Sequence, residues 1–182
     1  MRNGRGVLSV LTSAVVVASF VITTGGTAVG AVNWFPTHGT SLTNQNCLIS
    51  GDNKGFAGYH WERQVAGVDY LVPTSGEFVG AFAQTNAGDM SPNLERAAGR
   101  GPTDDEFANT RIIGLRQFEA ANSLMSQGVP LGDRVDYRFT YVDLGATRVA
   151  PEYTGDGREH RTSPAQTAAA ALAGTDEGKG FP

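Results

Sequence analysis

The sequence predicts an α+β fold, a mixed β-sheet with flanking helices, and three observations carry that prediction. Short apolar runs end in loops of small polar residues at 29–35 and 78–83, and an alternating run spans 136–143. Two longer segments carry helix-start signals, one at Asp52 and one at Thr103-Asp104-Asp105-Glu106. The 24 glycines among 182 residues call for turns and loops rather than a helical bundle.

Residues 1–31 read in two ways. Arg2 and Arg5 precede an apolar run over 7–22 whose polar members are Ser and Thr, and Val29-Gly30-Ala31 then offers a small-residue pattern that a signal peptidase accepts. The run is short for a membrane span, so export to a secreted or cell-surface location is the first reading. The second reading is a β-hairpin over 20–32 turning at Gly25-Gly26, which would make the same site part of a strand.

Residues 32–182 form the second division of the chain. The strand at 29–35 runs into a Thr-, Ser-, Asn- and Gly-rich loop at 36–46. After the turn Ser50-Gly51-Asp52-Asn53-Lys54-Gly55, Asp52 is placed to cap a helix reaching about Val65, with Phe56, Tyr59 and Arg63 on its inward aromatic face. The apolar strand at 78–83 ends in the loop 84–93. Thr103 and Glu106 read as a capping box for a helix to about Gln127, stacking Phe107, Phe118 and Met125 and ended by Gly128 and Pro130. In 136–143, Tyr137, Phe139 and Tyr141 alternate with Arg138 and Thr140, the pattern of a half-exposed strand. A short helix is expected at 168–173, and the last residues, Gly178-Lys179-Gly180-Phe181-Pro182, read as the middle of something larger.

Composition excludes some functions. Lys and Arg total 14 against 18 Asp and Glu, a net charge of −4, and no basic cluster exceeds a dipeptide, so a nucleic-acid partner is not expected. A single cysteine, Cys47, rules out an internal disulfide and a cysteine-based metal site, and reads as a small core residue.

Two residue types remain for chemistry. Ser91 follows a short buried strand on the loop Asn86-Ala87-Gly88-Asp89-Met90-Ser91-Pro92-Asn93, where Pro92 biases it toward extended backbone and a hydroxyl can be held at a strand's carboxyl end. Asp89 and Asn93 either orient neighbours or satisfy the turn. By spacing alone the segment reads first as a turn, because no Gly-x-Ser-x-Gly elbow is present. Of the three histidines, His38 lies on a polar loop after a strand and is the one placed as an exposed ligand. His60 reads as a helix residue and His160 as a solvated loop residue.

Five blocks then bear on function together. Trp34-Phe35-Pro36-Thr37-His38-Gly39-Thr40-Ser41, Leu48-Ile49-Ser50-Gly51-Asp52-Asn53-Lys54-Gly55, the segment 78–93, Asn109-Thr110-Arg111-Ile112-Ile113-Gly114 and the segment 136–143 are similar, in order, to the neutral/alkaline ceramidase family. The resemblance covers roughly 27–182. It implies part of an α+β catalytic domain with one zinc at the base of a lipid-accepting pocket. The implied reaction cleaves the amide of N-acylsphingosine to fatty acid and sphingosine, which implies a ceramide-like partner and contact with a membrane surface. Through the family motifs, His38 is implied as a zinc ligand and Ser91 as the catalytic nucleophile, with Met90 where the family usually has Val.

Three departures qualify that resemblance. The family's other zinc histidine lies upstream of the Trp-Phe block, where this chain has its apolar N-terminus; a glutamate and a tyrosine ligand lie beyond Pro182; and Ser163 stands where relatives often carry Cys. The expectation is an amidohydrolase of the ceramidase type, incomplete and inactive as an isolated chain. The alternative is an exported, non-catalytic lipid- or partner-binding remnant.

Overall fold

Gly25 and Gly26 start the sheet. Both have positive φ, 57° and 87°, as a two-residue hairpin turn requires, and they join β2 (Ala18–Thr24) to β3 (Thr27–Phe35). The computed structural model describes residues 5–10, 18–72, 78–88, 90–131, 136–165, 172 and 174. It divides into two units, Met1–Asp133 and Arg134–Pro182.

In the first unit β1 (Arg5–Val10) pairs antiparallel with β2, and β4 (Val79–Gln84) pairs parallel with β3. The short β5 (Val129–Pro130) closes the far edge on β1, giving the order β4-β3-β2-β1-β5. The sheet is therefore mixed, as expected. Val29-Gly30-Ala31 lies inside β3, Val29 at a bulge and Gly30 and Ala31 paired with β2 on one side and β4 on the other. Processing at that site would cut an interior strand.

The parallel β3/β4 pair needs a crossover, and helix α1 (Asp52–Tyr59) with a π-helical continuation (His60–Val65) supplies it. Helix α2 (Glu106–Leu124) packs beside α1. The core is a cluster of Ala31, Ala57, Trp61, Phe118 and Ala121, with Phe78, Phe82 and Met125 against it. The Trp61 ring meets Phe118 edge-on with centroids 5.4 Å apart and Phe78 at 5.2 Å. Among the described residues, no helix is long and apolar enough to cross a membrane.

Several local expectations are corrected. The helix from Asp52 does reach Val65, but its inward side is Asn53, Ala57 and Trp61. Tyr59 and Arg63 are exposed, because α2 and the sheet cover the opposite side, where Gln117 meets Asn53 and Phe118, Ala121 and Ala31 pack with Ala57 and Trp61. The capping box does not form. Asp105 is the N-cap of α2, its carboxylate accepting from the Phe107 and Ala108 N–H groups, while Glu106 turns away to accept from the Thr43 N–H at 2.6 Å. Phe107 is exposed, unlike Phe118, and with Phe56, Leu42 and Ile49 it borders a cavity of about 250 Å³. Cys47 is exposed, not a core residue.

In the second unit β6 (Arg148–Val149) pairs antiparallel with β7 (His160–Arg161), bracketing a 3-10 turn at Pro151–Tyr153. The alternating segment 136–143 is not a strand. Tyr137, Phe139 and Tyr141 are exposed, and among the described residues no strand supplies the hydrogen bonds that would turn the alternation into a ladder. The expected helix at 168–173 falls almost wholly outside the described residues, as does Asp89.

Helices α1 and α2 touch at Gly114, where a Cβ would lie 2.6 Å from the Asn53 carbonyl oxygen and 3.2 Å from the Ala57 nitrogen. Backbone cannot yield as a side-chain tip can. Gly114→Ala is expected to destabilise the chain by roughly 1–3 kcal/mol despite its helix-favouring residue. Gly55→Ala, within α1 and with nothing in reach of its Cβ, should stabilise by about 0.5–1 kcal/mol. Chemical denaturation of the two variants checks both signs.

Candidate functional site

Strands β3 and β4 run parallel and end level, Phe35 opposite Gln84, so the chain leaves the sheet twice at one edge. The first exit carries His38 and the second carries Ser91. Among the described residues, four hydrogen bonds join the two loops. The His38 N–H donates to the Met90 carbonyl (3.0 Å) and His38 Nε2 lies 3.0 Å from the Gly88 carbonyl oxygen. Thr37 Oγ1 donates to the same Met90 carbonyl (3.4 Å), and Asn93 Nδ2 donates to the Thr40 carbonyl (3.3 Å). Two residues 53 apart in sequence thus belong to one structure.

Ser91 keeps its expected place on a strand-end loop. Its Oγ accepts from the Asn93 N–H at 3.1 Å, a local turn bond that leaves the hydroxyl proton free to be donated elsewhere. The turn and the presented hydroxyl are thus one feature. Among the described residues, no histidine, carboxylate or amine is hydrogen-bonded to Ser91 Oγ. Ser91 borders an apolar cavity of about 250 Å³ whose walls include Phe35, Phe82, Met90, Leu94, Ile113 and Ala121. Asn33, Thr37, Gln117 and Arg116 add the polar groups, with Arg116 the charged residue of that wall. Asn33 is fixed from behind, its Oδ1 accepting from Ser19 Oγ and its Nδ2 donating to the Ala81 carbonyl.

His38 is exposed, as a ligand position would be. With Nε2–H donated to the Gly88 carbonyl, Nδ1 is left as the acceptor nitrogen, the arrangement in which an imidazole commonly binds a metal. A single imidazole is not a zinc site, however, and among the described residues no group of three His, Cys, Asp or Glu could hold a metal ion. The residues present therefore fit one ligand and do not fit a complete centre. His60 packs its ring on Phe118 (4.7 Å) and bonds Gln64, and His160, in the second unit, pairs with Asp156 at the surface.

The residues that sequence reasoning passed over are Asp52, Asn53 and Lys54, read there as a turn and a helix cap. Asp52 has φ 52°, a left-handed backbone that Asp tolerates better than most, and its carboxylate accepts from the Ser41 N–H (3.0 Å), Leu42 N–H (2.8 Å) and Asn53 N–H (2.6 Å). Asn53 is fully buried. Its Nδ2 donates to the His38 carbonyl and to Ser41 Oγ, both at 3.0 Å, and its Oδ1 accepts from Gln117 Nε2 at 2.9 Å. Lys54 Nζ donates to the Phe35 carbonyl (2.8 Å), the Ala83 carbonyl (3.3 Å) and Gln117 Oε1 (3.2 Å). Burial lowers the Lys54 ammonium from 10.5 to about 8, against the pull of its three acceptors toward the charged form. The one signal in the sequence was a run of three polar residues at the start of a helix.

Strand-end serine, adjoining histidine loop and apolar cavity define an α+β domain that places a hydroxyl at the edge of a nonpolar cavity. Residues 11–182 match the neutral/alkaline non-lysosomal ceramidase family, N-terminal part, and the chain belongs to that family. A neutral ceramidase of Mycobacterium tuberculosis is 56% identical over 158 residues, 86% of this chain and 25% of the relative. One from Pseudomonas aeruginosa is 47% identical over 167 residues, 90% of this chain and 23% of the relative. A solved ceramidase complexed with C2 superposes with a TM-score of 0.70 at 36% identity, covering 98% of this chain and 31% of the other. The crystal structure of the Pseudomonas aeruginosa enzyme gives a TM-score of 0.66 at 38% identity, over 88% and 28%. The chain thus spans about a quarter of the length of the curated relatives it matches.

Two outcomes follow from the polar run. Asp52→Ala leaves the Ser41 and Leu42 N–H groups without their acceptor and should cost roughly 1–3 kcal/mol in denaturant titrations. For Lys54 the folded state holds its proton less tightly than the unfolded chain, so the unfolded chain binds more protons between about pH 8 and 10.5. Stability should therefore rise with pH across that window, and Lys54→Met should abolish this part of the rise when both proteins are titrated at each end.

Proposed function

We propose that this chain is the serine-bearing part of an amidohydrolase that cleaves N-acylsphingosine to a fatty acid and sphingosine. The observation that carries the reading is the joining of the His38 and Ser91 loops at the lip of an apolar cavity. In this reading the cavity takes hydrocarbon, since burying methylene groups contributes about 0.8 kcal/mol each, and the amide stays at the polar lip where the loops meet. Ser91 is the attacking or orienting hydroxyl. His38 would contribute one nitrogen to a zinc whose remaining ligands this chain does not supply; when bound, zinc polarises an amide carbonyl or a water. The Gly88 carbonyl holds the His38 ring, and the Asn93 N–H holds Ser91 Oγ, so both groups are oriented before substrate arrives. A membrane surface is the proposed source of substrate. An exported form that keeps this fold retains β1 as well as β2 and β3, because β1 pairs with both β2 and β5.

A second reading has its own observation: the cavity is formed by this chain's residues alone, so the isolated chain can bind an apolar ligand without catalysis. The test that separates the two places this chain in the Mycobacterium relative in exchange for the matching segment. Zinc-dependent hydrolysis of N-acylsphingosine is expected. Ser91→Ala should lower turnover by several powers of ten with zinc content retained, and His38→Ala should lower zinc content and turnover together. Near-normal turnover in Ser91→Ala would leave Ser91 as turn chemistry. The isolated chain should bind zinc weakly or not at all; micromolar binding that His38→Ala leaves unchanged would remove His38 from the ligand set.

A further inference from the structure

Lys54 lies behind the reactive loops rather than between them, and its three acceptors come from three different elements. The Phe35 carbonyl is the last of β3, three residues before His38. The Ala83 carbonyl is at the end of β4, ahead of the loop bearing Ser91. Gln117 Oε1 belongs to α2, and Gln117 borders the cavity that Ser91 borders. The carboxyl ends of parallel strands expose carbonyls with no strand partner beyond them, and an ammonium offers three donors from one point. A half-buried charge among carbonyls is costly to place unless it is bonded, and here every donor has an acceptor.

We propose that Lys54 is a positioning residue that sets the spacing of the His38 and Ser91 loops and the orientation of the Gln117 amide on the cavity wall. Removing it frees the ends of β3 and β4 to separate and leaves Gln117 held by Asn53 and the Ile113 carbonyl. The effect on turnover rests on the reading of Ser91 and His38 given above; the effect on the loops does not.

Hydrogen exchange of this chain and its Lys54→Met variant tests the assignment. Amide exchange in 36–41 and 85–93 should quicken about tenfold or more, while amides of β2, β3 and α2 keep their protection. Lys54→Arg, which retains charge and donors, should recover most of the protection. In the exchanged-segment enzyme, Lys54→Met should lower kcat about 10- to 100-fold with a smaller change in KM, as misplaced groups do. Unchanged loop exchange overturns the proposal, and so does faster exchange throughout the sheet and helices, which would make Lys54 a residue of general stability. Should Lys54→Met fail to fold, Lys54→Gln, which keeps two donors without the charge, is measured in the same way; loss of the fold in both also overturns it. A segment exchange without any hydrolysis counts against the function proposed above, and the exchange data then decide Lys54 on their own.

Discussion

Asn53 fixes the geometry on which the rest of the site depends. A primary amide wholly out of water must satisfy its donors and acceptor or cost roughly 1–3 kcal/mol for each left unpaired. Here they are met by the His38 carbonyl, Ser41 Oγ and Gln117 Nε2, so a loop, a helix start and a second helix are held by one side chain. Its neighbours extend the same logic outward, Asp52 to the Ser41 and Leu42 N–H groups and Lys54 to the strand ends. Gly114 lets this happen. With any side chain there, α2 could not approach the Asn53 backbone closely enough for Gln117 to reach its amide.

That polar interior has a reason in the sheet. Parallel β3 and β4 send both loops out at the same edge, where carbonyls and N–H groups lose their strand partners. A loop of Thr, Ser, Asn and Gly cannot fill the gap with apolar packing, so it is held by hydrogen bonds. The apolar contacts sit one layer away, where Trp61 and Phe118 close the helix–sheet interface, and the cavity opens between the two regions. The Ser91 hydroxyl and the apolar cavity therefore meet at a boundary that the fold makes for its own stability.

The places where expectation failed share one cause. Phe56, Tyr59 and Arg63 have helical spacing, and so do Asn53, Ala57 and Trp61; periodicity offers several faces and the covering element chooses one. Asp52 has the chemistry of a helix cap, but its carboxylate serves an N–H pair ten and eleven residues away, and Glu106 is drawn across to Thr43 in the same manner. In 136–143 the alternation is clear, yet a strand is a relation between two segments, and none of the described residues pairs with it.

The sequence by itself determined the elements whose causes are local: the Gly25-Gly26 turn, the apolar strands before each loop, the helix ended near Gln127, and the exposed position of His38. It also carried the family, through five ordered blocks, and with it the roles proposed for His38 and Ser91. Only the tertiary structure decided that their loops lie side by side in one candidate site, because parallel pairing of β3 with β4 brings together loops separated by the whole of α1. It alone decided that Asp52, Asn53 and Lys54 are the scaffold of that site. Hydrogen bonds over such separations leave no periodic trace in the chain, since their partners are set by where the backbone ends meet and not by what lies nearby in sequence.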